Sequence, residues 1–186
     1  DRIETGTFVI MGLLSGNSIK ITNCDPSHLE TFLMMLKKAG GSFEIGQNYI
    51  ITRPVKKIFA TNLITHEYPG FPTDLQAPFT LLMTQAQGTS LIHAPIFEGR
   101  LFFTDKLNQM GANIIMCDPH RVIVNGPTKL HGKKVDSPDL RAGMTLVLAG
   151  LIAEGKTTID NVYQIERGYE NIVERLSRLG AQIEVI

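Results

Sequence analysis

The sequence predicts an α/β architecture with pseudo-threefold repetition: three apolar helices inside, sheets and amphipathic helices outside. One unit recurs three times along the 186 residues. The first helix of each copy is apolar nearly all round, and each copy then supplies strand segments and a second, one-sided helix. The copies are expected at about 1–54, 55–127 and 128–186 within a single domain.

Each first helix opens on an aspartate. The starts read Asp1-Arg2-Ile3-Glu4-Thr5-Gly6, Asp74-Leu75-Gln76-Ala77-Pro78 and Asp139-Leu140-Arg141-Ala142-Gly143, and the helices close at Gly16, Gly88 and Gly155, after 15, 14 and 16 residues. Segments 79–86 and 144–152 have few polar positions, the mark of a helix buried on every side. A β-rich piece follows in each copy, at 18–22, 89–93 and 157–160. The second helices stop at Gly40, Gly111 and Gly180, which lie 39, 37 and 41 residues after the respective Asp. Their apolar residues recur at helical intervals, as in Leu29, Phe32, Leu33 and Leu36, or Ile172, Val173, Leu176 and Leu179. The terminal Gly supplies the left-handed residue that closes a helix.

Strands are expected after each Gly, at 42–45, 113–117 and 182–186. In copies one and two the turns Gly46-Gln47-Asn48 and Asp118-Pro119-His120 lead into returning strands at 49–52 and 121–125, which reads as a hairpin. Extended leaders at 56–60 and 133–135 precede the second and third Asp, so the full unit is β-α-β-α-β-β. Copy one has no leader and copy three stops with its hairpin unfinished. The expectation is a piece of a longer chain whose other segments complete the sheet.

Eighteen basic and 18 acidic residues give zero formal charge, so neither a nucleic-acid nor an anionic-membrane partner is indicated. No run approaches the roughly 20 apolar residues of a membrane-spanning helix. Only Cys24 and Cys117 are present, too few for a disulfide framework. The start Asp1-Arg2-Ile3-Glu4 lacks the cationic and apolar segments of a secretion signal, and the cytoplasm is the expected compartment. Gly126-Pro127-Thr128-Lys129 has the wrong spacing for a phosphate loop. His28, His66, His93, His120 and His131 show no ligand spacing, so no metal is expected.

Two groups of residues are candidates for chemistry. In Tyr68-Pro69-Gly70-Phe71-Pro72-Thr73-Asp74, two prolines stiffen the approach to a helix start and hold Thr73 and Asp74 in one geometry. Asp74 fits a helix cap, as the matching Asp1 and Asp139 do, and it also fits a base accepting a proton from a hydroxyl. The second group is Arg100, Arg141 and Arg167, each near a helix start, where planar guanidinium groups suit carboxylate or phosphate. Local ion pairs with Glu98, Asp139 and Glu166 are the structural alternative.

At these residues the chain resembles the UDP-N-acetylglucosamine 1-carboxyvinyltransferase family. The resemblance is carried by Asp1-Arg2-Ile3-Glu4-Thr5-Gly6-Thr7, Pro69-Gly70-Phe71-Pro72-Thr73-Asp74-Leu75-Gln76, Phe97-Glu98-Gly99-Arg100, Asp139-Leu140-Arg141-Ala142-Gly143 and Ile165-Glu166-Arg167-Gly168-Tyr169-Glu170, in the family's order. It implies an inside-out α/β barrel of three repeats, the enolpyruvyl transferase fold, as one of two domains closing over a cleft. It also implies transfer of the enolpyruvyl group of phosphoenolpyruvate to the 3-hydroxyl of UDP-N-acetylglucosamine, with release of phosphate and without a cofactor.

By the same resemblance Asp74 is the general base at that hydroxyl, while Thr73, Ile96 and Phe97 line the sugar-nucleotide site. Arg167 engages phosphoenolpyruvate, with Arg100 and Arg141 as supporting arginines. The family's proton-donor loop lies in the other domain, and neither Cys24 nor Cys117 stands in its motif. Gly99 and Pro78 depart from the family pattern. Two further readings remain: a shikimate-type enolpyruvyl transferase, and a scaffold module without catalysis.

Overall fold

The computed structural model describes residues 1–185. The first repeat contains α1 (Arg2–Ser15), β1 (Lys20–Thr22), α2 (Glu30–Lys38), β2 (Ser42–Ile45) and β3 (Tyr49–Arg53). The second contains β4 (Leu63–Ile64), α3 (Gln76–Thr84), β5 (Gly88–His93), α4 (Thr104–Gln109), β6 (Asn113–Asp118) and β7 (Arg121–Gly126). The third contains β8 (Lys134–Asp136), α5 (Leu140–Ile152), β9 (Thr158–Asp160), α6 (Tyr163–Glu166) and α7 (Ile172–Arg178).

Helices α1, α3 and α5 pack pairwise on one another at the centre. All nine residues of α3 are buried, as are Thr5 to Leu13 of α1 and Ala142 to Ala149 of α5. Burial on every side strands the polar side chains of these helices away from water, and each hydroxyl answers by bonding back along its own helix. Thr7 donates to the Ile3 carbonyl at 2.9 Å, Thr80 to Gln76 at 2.9 Å and Thr145 to Arg141 at 2.9 Å. Asp1 caps α1, accepting from the Ile3 and Glu4 amides at 2.6 and 3.2 Å. Asp139 caps α5 through the Arg141 and Ala142 amides at 2.7 and 3.0 Å.

Sheets form the outer layer. The first has the order β1-β3-β2 and is antiparallel; the second, β4-β5-β7-β6, is antiparallel except for its parallel β4-β5 edge; the third is the parallel pair β8-β9. Both expected hairpins form, with Phe43 opposite Thr52 and Ile115 opposite Ile123. The helix stops at Gly40, Gly111 and Gly180 have φ of +89°, +106° and +95°, the region a Cβ disfavours.

Three expectations are corrected. The leader of copy two does not run as a strand through 56–60: Phe59 makes one isolated bridge to Gln87, and the paired strand is β4, further on. Side chains break the ladder between them, because the Thr61 amide donates to Ser90 Oγ and the Leu91 amide to Asn62 Oδ1. In copy three the second helix forms as α7 from Ile172 but ends at Arg178, one residue short of Leu179; Asn171 ahead of it sits at φ +49° and Tyr169 is completely buried. Leu179 ends up exposed rather than on the buried face. Residues 182–185 are not a strand, for they have no returning partner among the described residues; Ile186, the last of that expected strand, lies outside them.

Candidate active site

Asp74 does not cap a helix. The chain enters α3 through a tight 3-10 turn, Thr73–Leu75, whose cap position is Pro72, with the Leu75 amide donating to the Pro72 carbonyl at 3.0 Å. Inside that turn the carboxylate is free to point sideways. Arg100 Nη2 donates to its Oδ1 at 2.5 Å, and Arg141 Nε donates to its Oδ2 at 3.2 Å. The capping reading therefore fails for Asp74 although it holds for Asp1 and Asp139. The local ion pairs fail as well: Arg100 and Arg141 reach past Glu98 and Asp139 to the same distant aspartate, and Arg167 has no ion-pair partner among the described residues.

Each member is placed by its own element. A buried phenylalanine cluster pins the Tyr68–Thr73 loop, with Phe71 edge-on to Phe79 at 5.3 Å and tilted against Phe32 at 5.6 Å. Thr31 Oγ1 also donates to the Pro69 carbonyl at 2.7 Å. Arg100 leaves the loop between β5 and α4 and lies 5.5 Å from the ring centroid of exposed Phe97. Gly99 beside it has φ +75°, the left-handed region that favours glycine. Arg141 rises from the first turn of α5, held in place by the Asp139 cap.

The Asp74 side chain is 33% exposed, Arg100 25% and Arg141 15%, so the contact is open to a ligand yet partly shielded. One carboxylate faces two guanidinium groups, which leaves the contact cationic and suited to an anion. Two polar atoms there are buried and unpartnered: Thr73 Oγ1, next to Asp74, and Arg141 Nη1. Half-buried Ile96 and exposed Phe97 flank Arg100 on the same loop. Arg167 is exposed, two residues before Tyr169, whose ring lies 5.6 Å from the Arg141 guanidinium. Arg141 thereby touches both Asp74 and Tyr169, in the segment that carries Arg167. Tyr169 makes its contacts with Thr7 and Arg141, both distant in the chain, and so leaves no local signal in the sequence. Among the described residues no three His, Cys, Asp or Glu side chains gather into a metal-binding group, and no helix is long and apolar enough to cross a membrane.

A family model described as EPSP synthase (3-phosphoshikimate 1-carboxyvinyltransferase) matches residues 1–176. The chain belongs to that family. Relatives of this EPSP synthase-family chain include the UDP-N-acetylglucosamine 1-carboxyvinyltransferase of Koribacter versatilis, 46% identical over 100% of this chain and 43% of that protein. The protein of the same name from Treponema denticola is 41% identical over 100% of this chain and 45% of its own length. Among solved structures, the enolpyruvyl transferase NikO from Streptomyces tendae superposes with a TM-score of 0.92 at 29% identity, covering 99% of this chain and 44% of that one. EPSP synthase from Acinetobacter baumannii gives 0.79 at 18% identity over 100% of this chain and 47% of that one, a likeness of fold. The inside-out α/β fold expected from the sequence is thus the fold of the chain. It spans about half the length of the curated relatives it matches.

Proposed function

We propose that this chain is one domain of a two-domain enzyme that moves the enolpyruvyl group of phosphoenolpyruvate onto the 3-hydroxyl of UDP-N-acetylglucosamine and releases phosphate. The observation that carries the reading is the Asp74 carboxylate held between Arg100 and Arg141, groups drawn from two different repeats. The reaction needs a base at the sugar hydroxyl and cations at the carboxylate and phosphate of the enol phosphate. Asp74 supplies the first; Arg167, with Arg100 and Arg141, supplies the second. Thr73, Ile96 and Phe97 line the place of the sugar nucleotide, and the unpartnered Thr73 hydroxyl is available to it.

The second domain brings the proton donor and the remaining substrate contacts, so the 186 residues alone are inactive. The reaction takes place in the cytoplasm as the first committed step of peptidoglycan precursor synthesis, with the links to cell shape and division that follow. The description of the matching family favours a second reading, with 3-phosphoshikimate as acceptor; the names of relatives at 41% and 46% identity favour the sugar nucleotide. Phosphate release by the full-length enzyme, with each acceptor offered in turn, decides between them. Turnover with UDP-N-acetylglucosamine alone is expected, and turnover with shikimate 3-phosphate alone refutes the proposal.

A further inference from the structure

Tyr169 is the largest fully buried side chain among the described residues, yet it lies in the loop between two short helices. Burying a tyrosine obliges its hydroxyl to find a partner. The partner is Thr7 Oγ1 at 2.9 Å, on α1 of the first repeat. Because Thr7 spends its own proton on the Ile3 carbonyl, Tyr169 is the donor in this pair. The other end of the side chain meets Arg141, whose guanidinium carbon lies 5.6 Å from the ring centroid.

Arg141 needs that support. Among the described residues its single side-chain hydrogen bond is the 3.2 Å contact from Nε to Asp74, and Nη1 is buried without a partner. One long bond does not fix the orientation of a planar fork, whereas a buried ring against it restricts the orientations left open. The ring is braced against the interior, because Thr7 is itself fully buried on α1. The same residue anchors the segment that carries Arg167, two positions earlier.

We propose that Tyr169 is a positioning residue: braced on Thr7, it sets the angle at which Arg141 meets Asp74 and holds the Arg167 segment at the same rim. This rests on the enolpyruvyl-transfer reading, with Arg141 and Arg167 serving the anionic co-substrate.

The test is steady-state kinetics of the full-length enzyme with both substrates. Tyr169→Leu is expected to raise KM for phosphoenolpyruvate about tenfold, the scale of a desolvated cation–aromatic contact, and to leave KM for UDP-N-acetylglucosamine unchanged. Tyr169→Phe keeps the ring and returns KM for phosphoenolpyruvate to within about threefold of the parent, the scale of one hydrogen bond. A preparation that is merely part-unfolded loses kcat and moves neither KM. Should the Leu variant not fold, Tyr169→Phe and Thr7→Val provide the test, since both remove the same hydrogen bond. Each is expected to raise that KM equally, and the double variant no further. A folded Leu variant with the parent's KM, a Phe variant as impaired as Leu, or additive Phe and Val effects overturns the proposal. A parent enzyme that releases no phosphate from these two substrates refutes the underlying function instead.

Discussion

Asp74 and Arg141 are 67 residues apart in the chain, and their side chains meet at 3.2 Å. The contact joins the helix starts of the second and third repeats, and Arg100 closes it from the other side of the carboxylate. Repetition explains the meeting. Three helices packed at one centre bring their leading ends to one rim, so the residue opening each repeat lies near residues that open the others. The three starts are not equivalent: Asp1 and Asp139 keep the cap, while the corresponding Asp74 is turned out of it by a 3-10 entry.

Phe71 ties the Asp74 loop to the core through Phe32 and Phe79. Phe71→Ala removes a ring that is only 2% exposed and leaves a cavity that the stiff Pro69–Pro72 loop cannot close. A loss of about 3–5 kcal/mol is expected. In thermal unfolding this appears as a fall in Tm on the order of ten degrees; an unchanged Tm shows that the loop is not anchored there.

Asp139 separates structural from chemical aspartates. Asp139→Ala deletes both amide contacts at the start of α5 and is expected to cost about 1 kcal/mol, read as a drop of a few degrees in Tm. Asp139→Asn or Asp139→Ser, which still cap, should recover most of it.

Gly143 lets α5 approach its neighbours. A Cβ there stands 2.1 Å from Ser137 Oγ and 2.8 Å from Cγ1 of buried Ile165. Gly143→Val is therefore expected to destabilise by about 1–3 kcal/mol through overpacking, enough to outweigh the helix propensity gained. Equilibrium denaturation checks it through a lower midpoint at unchanged slope.

Stability should fall on the acid side. The His120 amide and the Arg121 side chain hold the Asp118 carboxyl below its usual 3.8; a hydrogen bond from Lys106 lowers Asp136, and one from Lys129 lowers Glu154. Carboxyls whose folded values are depressed take up protons first in the unfolded chain. Their contribution is complete above the ordinary carboxylate range and disappears as pH falls through the lower folded values. Tm measured across pH is expected to be level from neutrality to about pH 5 and to decline below about pH 4. Asp118→Asn should flatten that decline, and an acid-side rise in Tm contradicts the assignment.

Much of the fold was legible because its signals are local. The apolar runs of α1, α3 and α5, the Gly stops with positive φ and the two hairpins are each written in neighbouring residues. The family motifs single out Asp74, Arg100, Arg141 and Arg167, the first three of which meet in the fold. What the sequence could not display were choices made by distant contacts. Asp74 carries the same residue type as the two true caps, and only Arg100 and Arg141, 26 and 67 residues away, draw it elsewhere. Tyr169, ahead of the periodic helix at Ile172–Arg178, is drawn inward to Thr7, 162 residues earlier. The leader of copy two breaks where Asn62 and Ser90 side chains replace rungs of the ladder.

Replacement of Asp74 by Asn in the full-length enzyme probes the central claim most directly, because it keeps the size of the side chain and the arginine contacts to one oxygen while removing the proposed base. With folding verified by an unchanged Tm, phosphate release from phosphoenolpyruvate and UDP-N-acetylglucosamine is expected to fall by about 10² to 10⁴. Turnover at the parent's rate would show that the carboxylate between the two arginines is only a structural tie.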